Sequence, residues 1–156
     1  MRLSLFLLTL LISIVLTQAY MSGWFTRKSE TIGLMSQSDG GARVSFSRCY
    51  VGGGYNCVVD GDTIWLRGEK IRIADIDTPE THDYGCQSEK DLGDRATDRL
   101  EQLLEAGTIT LQPIDRDEDQ YGRKLRIVLV NGESVGAVLV DEGLARWYAG
   151  GRRPWC

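Results

Sequence analysis

The apolar positions change their spacing several times along the chain, and each change marks a boundary. Leu3 to Leu16 is a predominantly apolar run of 14 residues behind Arg2. From 20 to 47 the chain is rich in Ser, Gly and Thr and keeps no period, which predicts a largely disordered tether with folding beginning near Phe46. Apolar and polar residues then alternate in Ile64-Trp65-Leu66 and Ile71-Arg72-Ile73, the pattern of two short strands, with Arg67-Gly68-Glu69 as the tight turn between them. Ala96, Leu100, Leu103 and Leu104 fall on one face at helical spacing, so Ser88 to Ala106 contains a helix stopped by Gly107. Gly93 argues against its first turn. A strand at Thr108–Pro113, an acidic loop at Asp115–Asp119 and a strand at Leu125–Val130 follow. Asn131-Gly132 is a turn, Ser134 caps a second helix over roughly Val135–Glu142, and Gly143 ends it. The tail from Gly150 to Cys156 is irregular. The order is three strands, helix, two strands, helix: a mainly β, α+β domain over 48–156.

Composition and cysteine usage bear on where such a domain works. Hydrophobic residues are 42% and charged residues 26% of the chain, ordinary for a globular protein. The formal net charge of −4 lacks the basic footprint usual in nucleic-acid binders. Taken alone it speaks against such a partner, unless a bound cation and a few placed arginines supply the positive field. Arg2, the apolar run and Thr17-Gln18-Ala19 make residues 1–19 a secretory signal peptide, because the run is shorter than the roughly 20 residues that span a bilayer. The alternative is an uncleaved anchor continuing through Tyr20, Met21 and Trp24; either way the domain is exported, to the periplasm or the medium. Four cysteines behind such a segment, Cys49, Cys57, Cys86 and Cys156, predict two disulfides with three possible connectivities. Gly52-Gly53-Gly54 would bring Cys49 and Cys57 together across a hairpin, which leaves Cys86 and Cys156 by elimination. No pair has zinc-site spacing and His82 is the only histidine, so zinc is a poor reading.

The candidate chemistry is concentrated between Val58 and Glu80. The hairpin returns Asp60 and Asp62, at its start, close to Asp77 and Glu80, at its end, with Arg72 between them. Hard oxygen ligands of this kind suit calcium or magnesium. Asp62 and Asp77 are the best metal ligands, and Asp60 is expected behind them, acting through water. Glu80 is the candidate general base: beside a cation it keeps a low pKa, but it is ionised and placed. Arg72 and Arg123 are the candidate phosphate clamps, expected to face solvent, since a guanidinium offers a planar fork matching phosphate oxygens. On an uninterrupted strand Arg72 and Asp77 would point to opposite faces, so a bend near Asp75–Asp77 is predicted. Arg67, Arg126, Arg146 and Arg152 read as surface salt-bridge partners.

Asp60-Gly61-Asp62-Thr63, then Arg72-x4-Asp77-Thr78-Pro79-Glu80, strongly resembles the staphylococcal nuclease family. Asp119-Gln120-Tyr121-Gly122-Arg123 resembles the family's downstream arginine motif, and Leu139 to Ala145 its second helix. The resemblance runs from about Cys57 to Tyr148. It implies a five-stranded OB-fold barrel with two to three packed helices, and it adds the Thr78 backbone carbonyl to the metal ligands. It makes Tyr121 a pocket tyrosine and sets Tyr148 near the family's other pocket tyrosines. It further implies a calcium-dependent phosphodiesterase, with magnesium the weaker candidate, that hydrolyses DNA, with RNA as an open second substrate, at little sequence preference. A monomer without a stable protein partner is expected, touching the membrane only if the N-terminal segment is uncleaved. The rival is a catalytically silent OB-fold module that binds nucleic acid or a protein, disfavoured because Asp62, Arg72, Asp77, Glu80 and Arg123 are all present. The chain departs from the family pattern in two places. Asp75 replaces an aliphatic residue, which adds a solvent-facing charge near the metal, and a disulfide tail stands where the family has a long C-terminal helix.

Overall fold

The computed structural model describes residues 44–50 and 54–156. The expected signal peptide or anchor, and the tether up to residue 43, lie outside the described residues, as do Gly52 and Gly53. Among the described residues no helix is long and apolar enough to cross a membrane.

The alternating stretches form the centre of the sheet. Strand β1 (Asn56–Asp60) pairs antiparallel with β2 (Thr63–Leu66), and β2 with β3 (Glu69–Ile73), in the register Thr63↔Arg72 and Leu66↔Glu69. The two-residue loop of that second hairpin needs positive φ at both positions, and Arg67 (53°) and Gly68 (81°) supply it. After β3 the chain turns at Ala74-Asp75 and makes the short β4 (Ile76–Asp77), so the predicted bend is present. Helix α1 spans Gln87–Glu105 and buries Gly93, Ala96, Leu100 and Leu104. Strand β5 (Ile109–Glu118) runs antiparallel to β6 (Lys124–Val130), and β6 runs parallel to β3. The hairpin turn at Asn131-Gly132 leads into β7 (Glu133–Ser134), paired to β6. Ser134 then caps α2 (Val135–Asp141) by accepting a hydrogen bond from the Ala137 N–H at 3.2 Å. Gly143 has φ 72°, and the Leu144 N–H donates back to the Leu139 carbonyl at 2.8 Å, which closes the helix. The last strand, β8 (Arg146–Trp147), pairs with β4.

The main path of the sheet is β1-β2-β3-β6-β5, the five-strand order of the OB fold, with no β5–β1 pairing among the described residues. One apolar cluster fills it: Val58, Ile64, Ile71 and Val128 from the sheet meet Leu100 and Leu104 of α1 and Val135 and Leu139 of α2. Phe46 joins this cluster, and Arg48 pairs with Asp98 on α1 at 2.6 Å, so the segment before Cys49 is pinned. Both disulfides are present, Cys49–Cys57 and Cys86–Cys156.

Two expectations are corrected by packing. The acidic segment Asp115–Asp119 is not a free loop: β5 continues through Glu118 after a register shift that begins at Pro113. Asp117 faces the basic residues of β6, 2.6 Å from Lys124 and 2.7 Å from Arg126, and these cross-strand pairs keep the acids on the strand. Gly93 does not interrupt α1. It lies in its interior because the helix rides on the segment after β4: a Cβ at this position would be 2.7 Å from the Pro79 carbonyl oxygen and 3.0 Å from that of Glu80.

Candidate active site

The Asp60–Thr63 turn and the Asp77–Glu80 segment abut beneath helix α1. Gly61 makes the approach possible, because a Cβ there would be 2.8 Å from Ala96 and 2.9 Å from Thr78. The turn is fixed from inside: Asp60 Oδ1 accepts from the Asp62 N–H at 3.1 Å, and the Ile73 N–H donates to the Asp62 carbonyl at 2.8 Å. Asp62, Asp77 and Thr78 are all buried.

Arg72 reaches the same space from β3. Its Nη1 is 2.8 Å from Asp62 Oδ2 and its Nη2 is 3.9 Å from Asp77 Oδ1. Nη1 also donates to the Ile73 carbonyl at 3.1 Å and the Ile76 carbonyl at 3.4 Å, so the side chain braces the Ala74-Asp75 bend. Arg72 is therefore not the solvent-facing residue expected; only 8% of it is exposed. A buried guanidinium needs its donors satisfied; Asp62 and the two carbonyls occupy Nη1, while Nη2 faces Asp77 only at 3.9 Å. Arg123 approaches from the start of β6. Asp119 holds it, accepting from Nε at 2.7 Å and from the backbone N–H at 3.0 Å, and Nη1 donates to Thr63 Oγ1 at 3.3 Å. Thr63 Oγ1 in turn donates to Asp62 Oδ1 at 3.0 Å. Both arginines are thus tied to the Asp62 carboxylate, one directly and one through a hydroxyl.

The carboxylates interact with one another. Burial, then the charge of Asp62, pushes Asp60 up to about 7. Burial raises Asp77 as well, with Asp62 adding to it and Arg72 and Arg152 opposing it. Glu80 is raised by burial and held back by Arg152. Carboxylates that repel one another at the end of a buried turn form a set that a cation would relieve. The donors present, Asp62, Asp77 and the Thr78 carbonyl with Asp60 behind them, are all hard oxygens and fit calcium or magnesium, leaving the rest of the shell to water and a phosphate. The acidic side chains do not close to within one ligand shell of each other; among the described residues the one close group of three potential ligands is Cys86, Glu89 and Cys156, and both of its sulfurs are in a disulfide.

An open groove of about 1030 Å³ is lined by Lys70, Arg72, Arg116, Arg123 and Arg152, with Asp119 its one acidic side chain; it meets the acidic set through Arg72 and Arg152, which pair with Asp62 and Glu80. Tyr121 and Tyr148 flank it, 75% and 43% exposed, with their rings 5.5 Å from the Arg123 guanidinium and 5.6 Å from that of Arg72. Trp147 is half-exposed on β8.

Residues 70–154, more than half of the chain, match the family model described as "Staphylococcal nuclease homologue". The chain belongs to the staphylococcal nuclease family. The matched segment holds Arg72, Asp77, Thr78, Glu80 and Arg123 and begins after the Asp60–Thr63 turn. "Endonuclease YncB" of Bacillus subtilis (strain 168) is 39% identical over 93 residues, covering 56% of this chain and 44% of that relative. "SPbeta prophage-derived endonuclease YokF" of the same organism is 39% identical over 93 residues, covering 56% of this chain and 31% of that relative. The match spans less than half the length of either.

The sequence reading missed residues that lie beside the nuclease-family motifs. Arg152, expected as a surface salt-bridge partner, pairs with Glu80 itself. Glu89, buried in the first turn of α1, accepts from the Glu80 N–H at 3.4 Å and the Gly85 N–H at 2.7 Å, and so supports the loop that carries Glu80. Asp75, expected at the surface, packs its carboxylate at the start of α2, 3.0 Å from where a Gly136 Cβ would stand. Burial raises its pKa. One signal for Arg152 was available: it stands four residues before Cys156, and Cys86 stands six residues after Glu80.

Proposed function

We propose that this protein is an exported nuclease that hydrolyses phosphodiester bonds of DNA, and of RNA, with calcium held by Asp62, Asp77 and the Thr78 carbonyl. The observation that carries the reading is the convergence of Arg72 and Arg123 on one carboxylate: Arg72 meets Asp62 at 2.8 Å, and Arg123 reaches it through Thr63 at 3.3 Å and 3.0 Å. Phosphoryl transfer asks little covalent chemistry of a protein and depends on positioning and charge. The bound cation supplies positive charge to the scissile phosphate. Arg72 and Arg123 hold that phosphate's non-bridging oxygens and gain most as charge accumulates on them. Glu80 takes the proton of the attacking water as its oxygen bonds to phosphorus, and the opposite P–O bond breaks with the leaving oxygen protonated from solvent. Burial raises Glu80 in the metal-free site and a bound cation would lower it again, so its role as base rests on its being ionised and placed. Tyr121 and Tyr148 stack on the flanking bases. The two disulfides, and a signal peptide over residues 1–19 with a tether before residue 48, agree with an oxidising compartment outside the cytoplasm.

The test is digestion of plasmid DNA and of RNA in calcium, magnesium or chelator. Cleavage with calcium that chelator abolishes is the expected result. Full activity in excess chelator would remove the metal from the reading, and binding of nucleic acid with no cleavage under any condition would leave the silent module in its place.

A further inference from the structure

The C-terminal tail enters the site. Gly150 turns the chain with φ 87°, and Arg152 then sets Nη1 against Glu80 Oε1 while 63% of its side chain stays exposed. It lines the groove together with Arg72, Arg123 and Tyr148. A guanidinium carries five N–H donors in a planar fork. Glu80 engages one nitrogen, and among the described residues no acceptor takes the remaining donors.

The tail is anchored on either side of the acidic segment. Cys156 is bonded to Cys86, the residue just before α1. Arg146 donates to the Pro154 carbonyl at 3.0 Å and stacks with its guanidinium carbon 3.6 Å from the Trp155 ring centre. Glu89, which accepts from the Glu80 N–H, also lies 3.6 Å from the Cys156 sulfur. The support of Glu80 and the anchor of the tail are therefore one cluster. An ordinary exposed ion pair requires no such fastening, and the neighbouring Arg153 makes no ion pair among the described residues.

We propose that Arg152 forms a second phosphate subsite in the groove, gripping a phosphate beside the scissile one while it positions Glu80, and that the Cys86–Cys156 bridge keeps it there. The ligand class is a phosphodiester chain, and the inference rests on the nuclease reading of the site.

The experiment measures binding of a fluorescent, cleavage-resistant phosphorothioate single-stranded oligodeoxynucleotide by anisotropy in calcium across a salt series, with kcat and KM on cleavable DNA alongside. Arg152→Gln should weaken binding about tenfold, the scale of one charge-assisted contact. It should also make the log–log salt slope shallower by about 0.7, the value for one phosphate on a single strand. Arg152→Lys should recover most of the slope but not all of the kcat, because Lys keeps the charge and loses the fork. Arg153→Gln should change neither. Cys86→Ser with Cys156→Ser should match Arg152→Gln, and adding Arg152→Gln to it should change little more. If the serine pair does not fold, Arg146→Gln carries the tethering arm, since it releases Pro154 and Trp155 with both cysteines intact. Unchanged binding and slope in Arg152→Gln, in an active enzyme, would overturn the subsite alone. Tighter binding or faster cleavage would also overturn it and make Arg152 a plug on Glu80. A wild-type protein that binds the oligonucleotide through Arg152 yet cuts nothing would sink the nuclease reading and leave the subsite standing.

Discussion

Replacing Gly93 by Ala separates fold from site. The residue is in the interior of α1, where Ala is favoured over Gly by about 1 kcal/mol. Judged by the helix alone, the change should stabilise the protein. The contact beneath it says otherwise. The new Cβ would meet the Pro79 oxygen at 2.7 Å and the Glu80 oxygen at 3.0 Å, whereas ordinary contact begins near 3.4 Å. Widening 2.7 Å to 3.4 Å requires about 0.7 Å of relative movement between α1 and the Pro79–Glu80 backbone. Both neighbours are backbone atoms, so no side-chain rotation relieves the clash. Overpacking of this kind costs about 1–3 kcal/mol. Set against the propensity gain, the net loss is about 0–2 kcal/mol, and the fold survives. Glu80 rides on the displaced segment, and a misplacement approaching 1 Å in a catalytic group reduces rate by up to about a hundredfold. The variant should therefore unfold in urea close to wild type and lose about ten- to a hundredfold in kcat. Its calcium affinity should fall less, because Asp62 lies on the Asp60–Thr63 turn and Asp77 is held on β4, ahead of the displaced Pro79–Glu80 backbone. Urea unfolding, calcium titration and steady-state cleavage on one preparation decide it. A Gly93→Ala protein with raised stability and wild-type kcat would show that the helix does not set the position of Glu80.

Other changes test other parts of the site. Arg72→Lys keeps the charge but loses the fork, so cleavage should fall about a hundredfold, near 3 kcal/mol; because Arg72 also braces the bend after β3, unfolding should show a loss that Arg126→Lys does not, and equal mild effects at both positions would refute the assignment. Asp62→Ala or Asp77→Ala should lower calcium affinity, measured by calorimetry, along with rate; unchanged affinity would exclude both as ligands. Asp60 is pushed from 3.8 to about 7 in the folded chain, so the folded state binds the proton more tightly: stability due to this group is complete below about pH 4 and is lost as pH rises through about 7. In chelator, Asp60→Asn should therefore stabilise the protein at pH 8, by up to about 4 kcal/mol, and do little at pH 4; a gain in urea midpoint that is the same at both pH values would contradict this.

What was legible in the sequence was local. The β2–β3 hairpin follows from alternation and from Arg67-Gly68, and α2 from Ser134 at one end and Gly143 at the other, because each signal lies within a few residues of its effect. Gly93 misleads for the opposite reason: its partner is the backbone 13–14 residues earlier, and propensity reports nothing about a neighbour. Asp115–Asp119 looks like a loop until Lys124 and Arg126 are set across from it. Arg72 looks solvent-facing because arginine usually is, yet the bend that lets it share a site with Asp77 also buries it under its own carbonyl acceptors. Arg152 depends on a bridge between cysteines 70 residues apart, a pairing that elimination suggests but that says nothing of where the tail's side chains lie.

The acidic charge of the chain and the cationic groove are compatible because several of the acids lie outside the groove in ion pairs of their own. Asp94 and Asp98 engage Arg48, Glu142 engages Arg99, and Asp117 and Glu118 engage Lys124. In the groove Asp119 is paired with Arg123, while Lys70 and Arg116 have no acidic partner among the described residues. A net charge of −4 acts at a distance and repels a polyanion. Several placed cations act at contact and attract it. Salt treats the two differently: the Debye length falls from about 30 Å at 0.01 M to about 8 Å at 0.15 M, which removes the distant repulsion before it weakens the contacts. Counterion release at the contacts works the other way, weakening binding as salt rises. With few phosphates gripped the second effect is small, so substrate capture by the proposed nuclease should tolerate moderate salt better than capture by a basic nuclease that relies on long-range steering.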